Sequence, residues 1–154
     1  MAREYPEAPV AGVGAVVIRG TQRGEGEVLL VRRGTAPLLG RWSLPGGVLE
    51  LGETLTEGVV REIFEETALH ITPLAIVESF DRIHRDVTGR VQYHYVLIDY
   101  LCRWDGGEIV SGDDAQEGCW AARDDISTGG PYKLEPLTCS VIEKAFVMAR
   151  SLGL

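Results

Sequence analysis

Two apolar runs open the chain. Val10–Arg19 is almost unbroken in small and β-branched residues, and Val28–Arg33 repeats the pattern after the glycine-rich loop Gly20–Gly26. Both read as strands, joined as in a hairpin. From Thr35 to Gly52 the chain is rich in Gly and Pro and reads as loop around a short segment, Trp42–Leu44. A helix is predicted over about Thr56–Ala68, where Val59 with Ile63 and Val60 with Phe64 recur four apart and form an apolar side opposite a set of acids. Ala75–Ile83 and Val91–Trp104 have strand composition and flank a turn at Asp86–Arg90, so they are expected to pair antiparallel. A turn at Asp105–Gly107 leads to the acidic loop Asp113–Glu117 and a short strand at Cys119–Ala121. The last helix is predicted from an N-cap at Thr138 to Ser151, with Val141, Ala145 and Met148 on its packing stripe. The pattern is that of an α/β chain, a mixed sheet with a helix on either side. No repeat, linker or low-complexity tract divides it, so residues 1–154 are expected to form a single domain.

The polar face of the first helix changes the picture. Glu62, Glu65 and Glu66 fall within an arc of roughly 100°, so all three are expected to converge on one point beside the helix. Like charges three and four apart each cost about 0.2–0.5 kcal/mol, and carboxylates near a helix C-terminus oppose its dipole. A divalent cation reverses both penalties. Hard carboxylate oxygens are the setting for Mg²⁺, with Mn²⁺ as a substitute, bound through few protein ligands so that waters and substrate oxygens complete the shell.

Charge and cysteine usage narrow the classes. A net charge of −8 argues against a nucleic-acid polymer as partner, because polyphosphate tracks are bound by clustered Lys and Arg. A small anionic substrate remains compatible, since a metal and a few arginines can set the local field. Cys102, Cys119 and Cys139 form no CxxC pair, and with no signal-like start or long apolar run the expectation is a cytoplasmic protein with reduced thiols and no membrane association. They are read as buried small hydrophobes.

The run Gly47-x5-Glu53-x7-Arg61-Glu62-Ile63-x-Glu65-Glu66, closed by Leu69, resembles the Nudix box, and Trp42–Gly47 resembles its usual lead-in. There is one departure: Ala68 stands where the family has the glycine of a left-handed helix cap, which puts that cap in doubt. The resemblance implies the Nudix α/β/α sandwich and hydrolysis of a pyrophosphate linkage. It implies metal ligands at Glu62, Glu65, Glu66 and a carbonyl of Gly46 or Gly47, with Arg61 and Glu53 orienting them. Arg61 could grip Glu53 or Glu65 with both guanidinium edges, which Lys could not do. The family often completes its site with a remote carboxylate before a tryptophan-bearing strand. Here that loop holds Asp113, Asp114 and Glu117 before Trp120, with position favouring Asp114 and side-chain type Glu117. The water-activating base stays open between Glu62 and the loop.

Substrate recognition is read more thinly. Arg32 sits where relatives often place an arginine on a substrate phosphate. Trp42, Phe80, Tyr93 and Tyr95 could stack on a base, although strand spacing also suits the last three to the core. Phe80–Asp86, with Arg82, and Tyr93–Tyr100 resemble bacterial Nudix proteins assigned to ADP-ribose hydrolysis. The leading expectation is therefore a small nucleotide substrate, ADP-ribose, cleaved to AMP and ribose 5-phosphate. A nucleoside triphosphate pyrophosphohydrolase of the pool-cleaning type and a non-catalytic nucleotide sensor are the alternatives, and a homodimer is left open.

Overall fold

The computed structural model describes residues 3–21, 26–34, 39–110 and 117–154. Asp113 and Asp114, and parts of the loops expected at 20–26 and 35–52, lie outside these residues. Seven strands and two helices follow one another as β1 (Val10–Arg19), β2 (Glu27–Arg32), β3 (Trp42–Ser43), β4 (Gly46–Val48), α1 (Leu55–Thr67), β5 (His70–Arg85), β6 (Val91–Gly106), β7 (Gly118–Ala122) and α2 (Pro136–Ser151). The strands form one mixed sheet in the order β3-β2-β1-β6-β5, with β4 also on β1 and β7 on β2.

β1 is the hub. It runs parallel to β6 from Val10 opposite Tyr95 to Ile18 opposite Arg103. Its other edge is shared, with β4 antiparallel at Gly12–Gly14 and β2 antiparallel at Ile18–Arg19. A strand buried on both faces needs apolar residues at every position, which is why β1 reads as a run rather than an alternation. Val16 and Ile18 pack under α2 with Leu101, Ile142, Ala145 and Phe146, while Val13, Ala15 and Val17 pack under α1 with Val59, Ile63, Leu69 and Tyr100. The result is the α/β/α sandwich. Its sharing of β1 between β4 and β2 carries Gly46 and Gly47 into the sheet beside α1.

Four elements differ from the sequence-based expectation. β5 and β6 are longer than expected, because bulges, one of them between Pro73 and Ala75, let the pair continue past positions that break the ladder. α2 begins earlier: Glu135 is its N-cap and Pro136 supplies the first helical position, where its fixed φ is favourable and its missing N–H is not needed. Thr138, expected as the cap, is buried one turn-fragment inside the helix. On α1 only Val59 and Ile63 are buried, together with Gly58 and Thr67, whereas Val60 and Phe64 are exposed. Residues 60 and 64 lie about 100° round the helix from 59 and 63, which turns them off the sheet. The Phe64 ring instead meets His70, with centroids 5.2 Å apart.

Helix α1 is closed firmly at both ends. Thr54 and Glu57 form a reciprocal capping box, and the Ala68 N–H donates to the Phe64 carbonyl at 2.8 Å with Ala68 at φ 63°. The left-handed cap thus forms without glycine, at the steric cost that a Cβ brings to that conformation. Ala68→Gly should therefore raise stability by about 1 kcal/mol, visible as a Tm higher by a few degrees. A variant no more stable than the parent would show that the surroundings of Ala68 have already relieved the strain.

Among the described residues, no helix is long and apolar enough to cross a membrane. Cys102 is buried, and Cys119 and Cys139 are partly buried, all three as free thiols.

Candidate functional site

The polar face of α1 is organised by one arginine. Arg61 donates from Nε and Nη2 to the two oxygens of Glu53 at 2.6 and 2.9 Å, from Nη1 to Glu62 at 2.8 Å and to Glu65 at 3.1 Å, and from Nη2 to the Val48 carbonyl at 3.1 Å. This fork ties the loop before α1, the helix and strand β4 together. The guanidinium holds Glu53 at a pKa of about 2, helped by the Glu50 N–H that donates to the same carboxylate. Glu62 is pushed the other way: burial raises it, against the pull of Arg61.

The three box acids do not meet at a single point, contrary to the expectation from helix geometry. Among the described residues, the three carboxylates do not stand as one cluster, each being drawn to an arginine. Glu62 and Glu65 both lean on Arg61, and Glu66 is drawn toward Arg33 at 3.4 Å and the Gly46 N–H at 3.4 Å. Angular position explains the split. Glu62 and Glu66 border the buried stripe and their side chains are 14% and 20% exposed, while Glu65 lies further round and is 56% exposed. The acids are thus not opposite the apolar side; two of them adjoin it.

Gly47 fits against this face because it has no side chain, since a Cβ there would run into the Glu62 carboxylate. Gly46 is equally constrained, by the Val13 carbonyl and the Gly14 backbone of β1. The donors gathered around β4 and α1 are all hard oxygens, carboxylates and backbone carbonyls, and that set suits a magnesium-type cation.

Gly46 and Gly47 also form one wall of a cleft whose other residues include Arg33, Phe80, Arg82, Tyr95, Asp99 and Thr138. Phe80, Arg82 and Tyr95 reach it from the paired strands β5 and β6, where Arg82 lies opposite Tyr95. Arg82 donates to Glu135, the N-cap residue of α2, at 3.1 Å. Trp42 and Arg32 are not among the lining residues. Trp42 meets Tyr132 edge-on, with centroids 5.4 Å apart, and Arg32 is half exposed, donating to the Gly40 carbonyl and to Glu117 at 3.3 Å each. Glu117 is exposed and forms an ion pair with Arg32.

Two residues of the site escaped the sequence reading. Arg33 donates to the Ser43 hydroxyl, to the carbonyls of Leu44 and Gly46, and to Glu66, so it braces the glycine strand against the helix. Strand alternation carried a signal for it: Leu29 packs under α1, and period two brings Arg33 rather than Arg32 to that face. Asp99 is a lone carboxylate in the otherwise apolar centre of β6, and burial raises it to about 6 against the nearby Arg82 and Arg33.

Comparison with known proteins sets these residues in a family frame. The model of the NUDIX domain matches residues 8–139. An ADP-ribose pyrophosphatase of Methanocaldococcus jannaschii is 38% identical over 103 residues, which cover 67% of this chain and 59% of that protein. A MutT-like protein of Streptomyces ambofaciens is 30% identical over 122 residues, covering 79% of this chain and 70% of that one. Among solved structures, a MutT NUDIX hydrolase from Burkholderia pseudomallei superposes with a TM-score of 0.70 at 30% identity, over 90% of this chain and 98% of the other.

Proposed function

The chain belongs to the Nudix hydrolase family, and from that premise we propose that it is a pyrophosphohydrolase cleaving a nucleoside diphosphate joined to a second organic group, with ADP-ribose the leading substrate and AMP and ribose 5-phosphate the products. The observation that carries this reading is the shared wall at Gly46 and Gly47: the carboxylates of α1 stand on one side of it and an aromatic and arginine-lined cleft on the other. A phosphoanhydride held at that wall has acids at hand and room for an organic group beyond.

Glu62, Glu65, Glu66 and a carbonyl of Gly46 or Gly47 would hold Mg²⁺, for which Mn²⁺ could substitute. Bound there, the cation would supply charge neutralisation at phosphate oxygens and a lowered pKa for water. Arg61 keeps Glu53, Glu62 and Glu65 oriented, and Arg33 does the same for Glu66. Glu62 is the acid whose environment favours proton uptake, because burial already raises it, which makes it a candidate base. Asp114 is the favoured remote acid, with Glu117 the other candidate. Phe80, Arg82 and Tyr95 would receive the organic part, in a cytoplasmic enzyme acting on small nucleotides.

The test is a screen of the purified protein against ADP-ribose, dinucleotides and dNTPs with Mg²⁺ and with Mn²⁺, products being identified by chromatography. ADP-ribose is expected to show a higher kcat/KM than any common dNTP, and Arg82→Ala to lower that value by about tenfold, chiefly through KM. Faster turnover of a dNTP, with pyrophosphate released, would replace this reading with the pool-cleaning one.

A further inference from the structure

Along β6 the residues from Tyr95 to Cys102 are apolar or aromatic except for Asp99. The residue is only 6% exposed, yet it lines the cleft. The fold makes room for it deliberately. Asp99 lies opposite Gly14 across the parallel β1/β6 ladder, and a Cβ at Gly14 would run into Asp99 Oδ1; Gly12 stands in the same relation to the Leu97 side chain, two residues earlier. Two bare glycines in β1 therefore leave a flat floor on which Leu97 and Asp99 are presented.

Among the described residues the Asp99 carboxyl makes no hydrogen bond and no ion pair. Three arginines, Arg3, Arg33 and Arg82, line its cleft, and the two whose charge acts on Asp99 are committed elsewhere: Arg82 to Glu135, and Arg33 to Ser43, Leu44, Gly46 and Glu66. A buried carboxylate without donors is costly, and such a group in a cleft is completed by whatever enters. Its charge opposes a phosphate oxygen in direct contact, which leaves Asp99 for a neutral donor. Phe80 and Tyr95 line the same cleft, so a planar ring has both a flat floor and aromatic neighbours.

We propose that Asp99 is a specificity-determining residue of this cleft, accepting a hydrogen bond from the exocyclic amino group of a purine base. This rests on the reading that the cleft takes a nucleotide. The amino group sits at C6 in adenine and at C2 in guanine; hypoxanthine lacks both, keeps N1–H as the one donor on that edge, and places a carbonyl oxygen at C6, which a carboxylate repels. The substrate's base would thus be sorted at one end of the cleft while its phosphates are handled at the other.

Calorimetric binding of AMP, GMP and IMP to the wild-type protein, in chelator and without turnover, reads the inference apart from catalysis. One of the two amino-bearing nucleotides is expected to bind at least about tenfold more tightly than IMP, because the analogue takes away the amino donor that the buried acceptor is built to meet. Which one binds identifies the base. Asp99→Asn keeps the shape and removes the buried charge, and its amide can donate as well as accept; the preference over IMP should shrink to within about threefold, with the melting temperature confirming the fold. Equal binding of IMP by wild type, no measurable binding of any of the three, or an undiminished preference in Asp99→Asn would each overturn the inference. Metal-dependent hydrolysis of ADP-ribose without base preference would leave the proposed activity standing and remove the role of Asp99. Base preference that depends on Asp99, without hydrolysis of any pyrophosphate, would do the reverse.

Discussion

Glu65→Gln and Glu66→Gln should each lower metal-dependent turnover by about 100-fold or more while leaving the fold intact. Neither side chain contributes to the core, since the buried stripe of α1 is Gly58, Val59, Ile63 and Thr67. Each substitution keeps the size of the side chain and removes only its charge. What is lost is the ability to balance a divalent cation held beside a phosphoanhydride. The two positions are expected to differ in character. Glu65 is the exposed acid, touching Arg61 alone among the hydrogen bonds described for it, so its variant should melt as the parent does. Glu66 also meets the Gly46 N–H and Arg33, so Glu66→Gln should in addition weaken the seat of the glycine strand and lower Tm slightly. Steady-state kinetics over a Mg²⁺ titration, alongside thermal melts, make the comparison. Near-normal turnover in both variants would sink the assignment of α1 as the metal face.

The two layers of helix over a mixed sheet were legible because their signals are local and periodic. Val10–Arg19 announces a strand buried on both sides, and the i, i+4 pair Val59 and Ile63 announces the helix that covers it. Where the reading erred, the missing information was tertiary. Val60 and Phe64 satisfy the same helical spacing as Val59 and Ile63, and nothing within the helix says which pair the sheet will meet. The expected convergence of Glu62, Glu65 and Glu66 rested on backbone angles alone. It left out Arg33, which draws Glu66 away from the pair of acids that Arg61 holds. Asp99 was passed over because an isolated carboxylate in a strand has no partner pattern to mark it; only the register of β6 against Gly14 shows that it is housed. Spacing thus locates the acidic face of α1, whereas the opposite end of the cleft is assembled from β1, β5, β6 and α2 and has no contiguous signature.

Arg61→Lys should be costly despite conserving charge. All three guanidinium nitrogens of Arg61 are in use, and together they reach Glu53, Glu62, Glu65 and the Val48 carbonyl. An ammonium has no planar fork with which to meet both oxygens of Glu53 while also reaching the other three. Turnover is expected to fall by about 10–100-fold, because the carboxylates lose their common brace, and stability should fall as well. The pH dependence separates this from a loss of packing. Glu53 is held at about 2, below its ordinary value of 4.5, chiefly by the hydrogen bond from Arg61. A carboxyl depressed in the folded state contributes stability that is present above its unfolded pKa and is lost as pH falls through the folded one. The gap in Tm between wild type and Arg61→Lys should therefore be full at pH 7, narrow below about pH 4.5 and be smallest near pH 2. A gap that stays constant across that range, with kcat unchanged, would mean that Arg61 fills space on the helix surface and does not organise the acids around it.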